Sequence, residues 1–343
     1  MRLAIVHSSP VVAEVLRQCV LATREHTVLW VAHDGVSAVR LCAQTRPELL
    51  LMDVLLPVLD GVQATRQIMA ATPCPIVVVT ADVNRSSDRV FEAMGAGALD
   101  AASLTVKDHT LTPEAAAVLL AKIDTIRRLT GHPPPVASKH SVTTHPASVT
   151  ATRDRLVAIG ASAGGPAALA RILSQWPAKF PAAVVAVQHV DAHFASGLAD
   201  WLASHTPLGV RVAAPGESPH PGTVLLAGAA DHLVLTSQGR LAYTRRPSGL
   251  SFRPSVDVFF KSLVEHWRGE LVAVLLTGMG RDGAAGLKLL RDAGHHTIAQ
   301  DEASSAVYGM PKAAAELRAA CETLPLDSIA PRISMILAQP FHK

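Results

Sequence analysis

Three side chains at three predicted strand ends could together hydrolyse an acyl group: a serine, a histidine and an aspartate. Ser162 stands in Gly160-Ala161-Ser162-Ala163-Gly164-Gly165-Pro166, directly after the apolar run Leu156–Ile159 and before the helical stripe Leu169, Ile172, Leu173 and Trp176. A strand, a glycine-rich turn and a helix in that order expose a hydroxyl and let substrate approach the backbone. They also aim helix-start amides at a developing oxyanion. A serine nucleophile needs a base, and the base needs a carboxylate to orient it. The run Val184–Val187 ends in Gln188-His189, and Val272–Thr277 runs into Gly278-Met279-Gly280-Arg281-Asp282-Gly283. Parallel strands would deliver all three groups to one sheet edge.

Each residue also has a plainer reading. Ser162 alone could cap the helix, His189 alone could be a satisfied strand-end histidine, and Asp282 alone could be a turn residue. Their joint placement favours catalysis. A nicotinamide site fails, because the middle glycine of Gly-x-Gly-x-x-Gly is Ser162 and no acid occurs between Gly160 and Val190 to hold a ribose. The remaining histidines, including His193, His205, His220, His232 and His266, have no comparable setting and read as structural or solvated.

The elements that must position these groups follow an α/β rhythm. Strands are predicted at Leu3–Val6, Val28–Ala32, Leu49–Asp53, Ile76–Thr80 and, more weakly, Ala98–Ala102. Val12, Val15, Leu16 and Cys19 form a helical stripe between the first two. Continuous apolar strands suit a parallel sheet covered on both faces. The rhythm restarts at Leu156–Gly160, Val184–His189, Val210–Ala213, Val224–Ala227, Val272–Thr277 and Thr297–Gln300, interrupted by a hairpin of Leu233–Thr236 and Leu241–Thr244. Between the halves, Gly131–Thr152 carries Pro133–Pro135, serines, threonines, His132, His140 and His145 without apolar period, which reads as a linker.

Composition agrees with a folded pair of domains. The 343 residues are 49% hydrophobic and 17% charged, and a length of about 100–200 residues per domain gives two. The net charge of +3 is local, since residues 127–155 hold five basic residues against one acid. With 4% aromatics and no broad basic face, nucleic acid is not an expected partner. No apolar run approaches the roughly 20 residues that span a bilayer, and Met1–Ser9 has no signal-peptide core, so a cytoplasmic protein without membrane insertion is expected. Cys19, Cys42 and Cys74 sit in apolar stretches and read as buried free thiols.

The motifs Ile-Gly-Ala-Ser-Ala-Gly-Gly-Pro (159–166), Gln-His (188–189), Arg-Pro-Ser-Val-Asp (253–257), Thr-Gly-Met-Gly-Arg-Asp-Gly-Ala (277–284), Ile-Ala-Gln-Asp-Glu (298–302) and Tyr-Gly-Met-Pro (308–311) occur in order. Together they resemble the CheB family of protein-glutamate methylesterases. The resemblance implies Ser162 as nucleophile, His189 as base and Asp282 as orienting acid. It also implies hydrolysis of glutamate γ-methyl esters on methyl-accepting chemoreceptor-type proteins, often with glutamine deamidation, and no cofactor for catalysis. Ala163, Gly164 and Met279 would surround the nucleophile and oxyanion. Ala163 replaces a threonine common in relatives, and Val190-Asp191 replaces the usual Met-Pro.

Residues 1–125 resemble a response-regulator receiver, with Asp53 as phosphoacceptor and Thr80 as switch residue, served by a CheA-like histidine kinase. An ordinary receiver holds Mg²⁺ with an acidic pair after strand one; here those positions read His7-Ser8-Ser9, and Leu104 takes the place of the lysine. One aspartate without the pair would bind Mg²⁺ weakly and accept phosphate inefficiently. A pseudo-receiver retained as lid or docking domain is the competing reading. The fold expected is α/β: a flavodoxin-like (βα)5 receiver over 1–125, a linker over 126–152, and a doubly wound, mostly parallel methylesterase domain with an antiparallel hairpin over 153–343. Residues 51–62 and 89–100, with Gln-His-Val-Asp-Ala-His-Phe (188–194), further resemble the methylesterases of Wsp surface-sensing systems. A non-catalytic receptor- or kinase-binding adaptor is the alternative function.

Overall fold

The computed structural model describes residues 1–81, 83–130, 154–250 and 252–338. The first sheet contains β1 (Arg2–Val6), β2 (Thr27–Ala32), β3 (Leu49–Met52), β4 (Ile76–Thr80) and β5 (Asp100–Ser103), in the order β2-β1-β3-β4-β5 with every pair parallel. Around it lie α1 (Pro10–Ala22), α2 (Gly35–Gln44), α3 (Gly61–Ala71), α4 (Val83–Gly95) and α5 (Pro113–Thr130). Short polar side chains start the helices: Ser9 accepts from Val12 N, Asp34 from Ser37 N and Asp60 from Gln63 N. A small hairpin, β6 (Val106–Lys107) and β7 (Thr110–Leu111), precedes α5.

The second sheet runs β10-β11-β9-β8-β14-β15-β16, again with every pair parallel. Its strands are β8 (Arg155–Ala161), β9 (Ala183–Gln188), β10 (Gly209–Val212), β11 (Thr223–Leu226), β14 (Glu270–Leu275), β15 (His296–Gln300) and β16 (Glu322–Leu324). Helices α6 (Gly165–Leu173), α7 (Ala195–Ala203), α8 (Val256–His266), α9 (Ala284–Asp292), α10 (Met310–Glu316) and α11 (Leu326–Ala338) cover it. The antiparallel hairpin β12 (His232–Leu235) and β13 (Leu241–Thr244) stands apart from the main sheet, and its Leu235 N–H donates to Ser262 of α8. The chain builds outward from β8 on one side, then crosses to β14 on the other. That reversal opens a crevice at the strands' carboxyl ends, where α/β sheets place their sites.

Two expectations shift, on the extent of α5 and on Cys19. The segment read as linker from residue 126 is helical through Thr130, because Ile123 and Ile126 still face the first core. The Pro- and His-rich stretch beyond it lies outside the described residues. Cys42 and Cys74 are buried but Cys19 is only partly so, at the rim of α1; all are free.

The cores of the two halves are continuous. One apolar cluster extends from Met52, Val78, Phe91 and Met94 of the first half to Leu169, Phe194, Leu198 and Trp201 of the second. Phe91 of α4 meets Phe194 edge-on with ring centres 6.4 Å apart and lies 6.1 Å from Trp201.

Candidate active site

Strand β8 ends at Ala161 and the chain turns through Ser162 into α6. Gly164 takes φ +75°, and a Cβ there would lie 2.5 Å from that of Ala306, so the turn requires glycine. The N-cap of α6 is Gly164, not Ser162, which removes the capping explanation for the serine. Ser162 is buried, its amide donates to Thr277 O at 3.1 Å, and its carbonyl accepts the Gln188 side-chain N–H at 2.8 Å. The loop after β14 presses against it: a Cβ on Gly278 would sit 2.8 Å from Ser162 Cβ and 2.3 Å from Met310 Sδ.

Pairing of Ala161 with Gln188 between β8 and β9 makes Ser162 and His189 the next residues on adjoining strands. The His189 amide donates to Ala161 O at 3.0 Å. Its Nε2 lies 2.8 Å from Asp282 Oδ2. An ionised carboxylate only accepts, so Nε2 carries the proton and Nδ1 keeps the basic lone pair. That Nδ1 is buried without a partner among the described residues. Ser162 Oγ likewise makes no hydrogen bond there. The His189–Asp282 bond is therefore made, while Ser162 Oγ and the imidazole are not joined, a looseness common in sites before substrate arrives. Phe252 lies flat on the imidazole, with ring centres 4.4 Å apart and planes 3° apart. Hydrogen bond at one edge and stacking on one face leave the ring little freedom.

Asp282 is tied at several points. Besides His189 it accepts from Ser255 Oγ at 2.7 Å, Val256 N at 2.7 Å and Asp257 N at 3.1 Å, the start of α8. Burial works against its charge, but the His189 bond and charge, the Ser255 hydroxyl and the Val256 amide hold its carboxyl below the usual range. Behind Ser255 stands His232, fully buried, which accepts the Ser255 N–H at Nδ1 and reaches Pro247 O from Nε2. Ser255, Phe252 and His232 thus support the site although sequence reasoning gave them no role. The first two flank or fall within the motif at 253–257, whereas nothing local marked His232.

Asp257 is the second buried acid here. Burial first and the Asp282 charge second push it up from 3.8 to about 7, against the amides of Gly286, Gly283 and Ala285. Between those pH values the folded protein holds a proton that the unfolded chain has lost, so Asp257 lowers stability as pH rises toward 7. Asp257→Asn should therefore raise the melting temperature more at pH 8 than at pH 5, at about 2–4 °C per kcal/mol. A larger gain at pH 5 would contradict this assignment.

The surroundings include the first half of the chain. Ala163 and Met279, expected beside Ser162, are buried in a cluster with Leu104 and Leu119, and Leu99 packs against it. The Gly164 N–H donates to the Leu99 carbonyl at 3.2 Å. Of the three expected oxyanion neighbours, two are covered apolar side chains and one has its amide engaged by the first half.

At the other expected site, Asp53 is buried just past β3. Ser8 donates to its Oδ2 from Oγ at 2.8 Å and from N at 3.3 Å, and Leu55 N donates to Oδ1 at 3.0 Å. His7 Nδ1 is 3.5 Å from the same carboxylate but accepts from Ser9 N. Burial before all else pulls the His7 pKa down, so the ring stays neutral. Mg²⁺ requires several oxygen ligands in a tight octahedron. One carboxylate already engaged by Ser8, beside an imidazole, does not fit it. Leu104 is buried at the lysine position, and Lys107 is exposed on β6. Thr80 Oγ1 is hydrogen-bonded to Ser86 of α4 at 2.7 Å. Acetyl phosphate in millimolar Mg²⁺ should leave most Asp53 unmodified by intact mass; full stoichiometric phosphorylation would contradict this.

Comparison with known proteins locates the whole arrangement. The CheB methylesterase family model matches residues 157–333, and the response regulator receiver domain model matches residues 3–114. A protein of Cupriavidus pinatubonensis named protein-glutamate methylesterase/protein-glutamine glutaminase 1 is 56% identical over 336 residues, 97% of this chain and 96% of that one. A Pseudomonas aeruginosa protein of the same name, numbered 3, is 52% identical over 98% of this chain and 99% of its own. The crystal structure of the Thermotoga maritima CheB methylesterase catalytic domain matches with TM-score 0.52 and 34% identity, covering 54% of this chain and all of that domain. No described helix is long and apolar enough to cross a membrane.

Proposed function

The chain belongs to the CheB methylesterase family with a receiver domain ahead of the catalytic one, and on that premise we propose that Ser162, His189 and Asp282 hydrolyse glutamate γ-methyl esters on methyl-accepting chemoreceptor-type proteins. The observation that carries the assignment is the His189 Nε2–Asp282 bond beside a serine on a strand-to-helix turn. Ser162 Oγ attacks the ester carbonyl carbon as its proton passes to His189 Nδ1. The tetrahedral oxyanion collapses, the C–O bond breaks, and methanol leaves with the proton from His189. Water, deprotonated by the same nitrogen, then cleaves the acyl-enzyme to free glutamate and Ser162. A glutamine side chain would follow the same course with ammonia leaving, in keeping with the glutaminase in the relatives' names. No step needs a cofactor. The test is methanol release from a methylated receptor by the parent and by Ser162→Ala.

The receiver acts in this reading as a lid over the Ser162 edge, with a CheA-like kinase as the phosphodonor partner and Asp53 as a poor acceptor. Catalysis is placed in this reading in the cytoplasm, on the receptor's signalling helices. The segments at 51–62, 89–100 and 188–194 support a place in a Wsp-type surface-sensing pathway. Methanol release restricted to a Wsp-type receptor, against several chemotaxis receptors, tests that assignment. An adaptor without catalysis is disfavoured by the assembled His189–Asp282 pair.

A further inference from the structure

Helix α9 begins at Gly283, which takes φ +86° and has no side chain with which to cap it. The missing acceptor comes from the neighbouring helix. Asp257, in the first turn of α8, accepts the Gly286 N–H through Oδ1 at 2.6 Å. Asp282, on the loop entering α9, in turn accepts the Val256 and Asp257 amides that open α8. Each acid therefore caps the helix that the other one leads. The two helices cross closely at this point: a Cβ on Gly286 would lie 2.7 Å from Phe260 Cβ and 3.2 Å from Asp257 Cα. The loop 278–283 is thus pinned at its far end by Asp257, and at its near end by the contacts of Gly278 with Ser162 and Met310.

We propose that Asp257 is a positioning residue for the hydrolysis, holding the loop 278–283 at the register where Asp282 meets His189. The proposal rests on the triad reading given above. Without the Asp257 acceptor, the first amides of α9 lose their partner and the helix start can shift away from α8. Asp282 and Met279 ride on the same loop, so a shift there misplaces the acid against the imidazole. Misplacement by about 1 Å can cost about 100-fold in rate. The binding surface for the receptor is untouched, because Asp257 makes its contacts behind the triad rather than at Ser162.

The experiment is steady-state methanol release from a methylated receptor by the full chain and its variants. Asp257→Ala should lower kcat about tenfold or more with KM within about twofold. Asp257→Asn, which keeps an oxygen for the Gly286 N–H, should recover kcat to within about threefold of the parent. Asp257→Glu keeps the carboxyl group but carries its oxygens one methylene too far, and should resemble the alanine variant. If Asp257→Ala does not fold, the Asn and Glu pair decides. An unchanged kcat in Asp257→Glu, a KM effect without a kcat effect, or an Asn variant as slow as Glu would each overturn the proposal. Ser162→Ala in the same assay separates the two readings: if it stays active, the triad itself is wrong. If it is inactive while Asp257→Glu is normal, only the positioning role fails.

Discussion

Ser162→Ala abolishes methanol release by the full chain, a fall of about four orders of magnitude or more, with the melting temperature nearly unchanged. The two halves of that expectation come from different observations. The hydroxyl caps no helix and has no hydrogen-bond partner among the described residues, so its loss leaves no buried group unsatisfied. The chemistry, by contrast, has no other nucleophile beside His189 among the described residues. His189→Ala should be comparably inactive. Asp282→Asn is the informative third variant. Its amide oxygen can still accept from the start of α8, but its NH₂ group cannot receive the His189 Nε2–H. The imidazole then turns to the wrong tautomer, and kcat should fall by about 10⁴. Asp282→Ala should lose that activity and also about 1–3 kcal/mol of stability, because the Ser255 hydroxyl and two amides lose their acceptor. The assay is labelled methanol from a methylated receptor, paired with thermal melts. Activity retained in Ser162→Ala would remove the serine mechanism.

The placement of Ser162, His189 and Asp282 was legible because each follows a predicted strand, and strand order in a parallel sheet brings such ends together whatever the intervening chain does. The glycines were legible for the same local reason: Gly164 and Gly278 sit where the backbone turns or where another segment comes within touching distance. What supports the triad was not. His232 lies on the hairpin, 43 positions after His189 in sequence, and reaches the site only because β12 packs under α8. Asp257 read as part of a motif without a task, since its partner Gly286 belongs to a helix whose packing angle no periodicity reports. The edge strand β16 escaped because Glu322–Leu324 is too short for an alternating pattern. The receiver's losses were read directly from His7, Ser8 and Leu104. That Ser8 would take the carboxylate itself required the geometry.

Residues 154–343 alone release methanol about tenfold or more faster than the full chain, and Gly197→Ala in the full chain moves part of the way toward that rate. The contact between halves is apolar and specific: Phe91, Phe194 and Trp201 fill it, and the Leu99 carbonyl occupies the Gly164 amide two residues from Ser162. With Ser162 only 8% exposed, a receptor helix about 10 Å across cannot reach it until this contact opens. Gly197 isolates that opening step. A Cβ there would meet Ser87 at 2.6 Å and Phe91 at 3.5 Å, and its nearest neighbours all belong to α4 of the receiver. Overpacking of this kind costs about 1–3 kcal/mol. Applied to a mostly closed equilibrium, that multiplies the open fraction by about 5–150, because 1.4 kcal/mol is tenfold. In the isolated fragment the same methyl group faces solvent on helix α7, where alanine is the better helix former by about 1 kcal/mol. The variant should therefore speed the full chain and leave the fragment's rate unchanged. Equal rates for full chain and fragment would mean that the receiver does not cover the site in solution. Slowing of both by Gly197→Ala would mean that α7 itself serves catalysis.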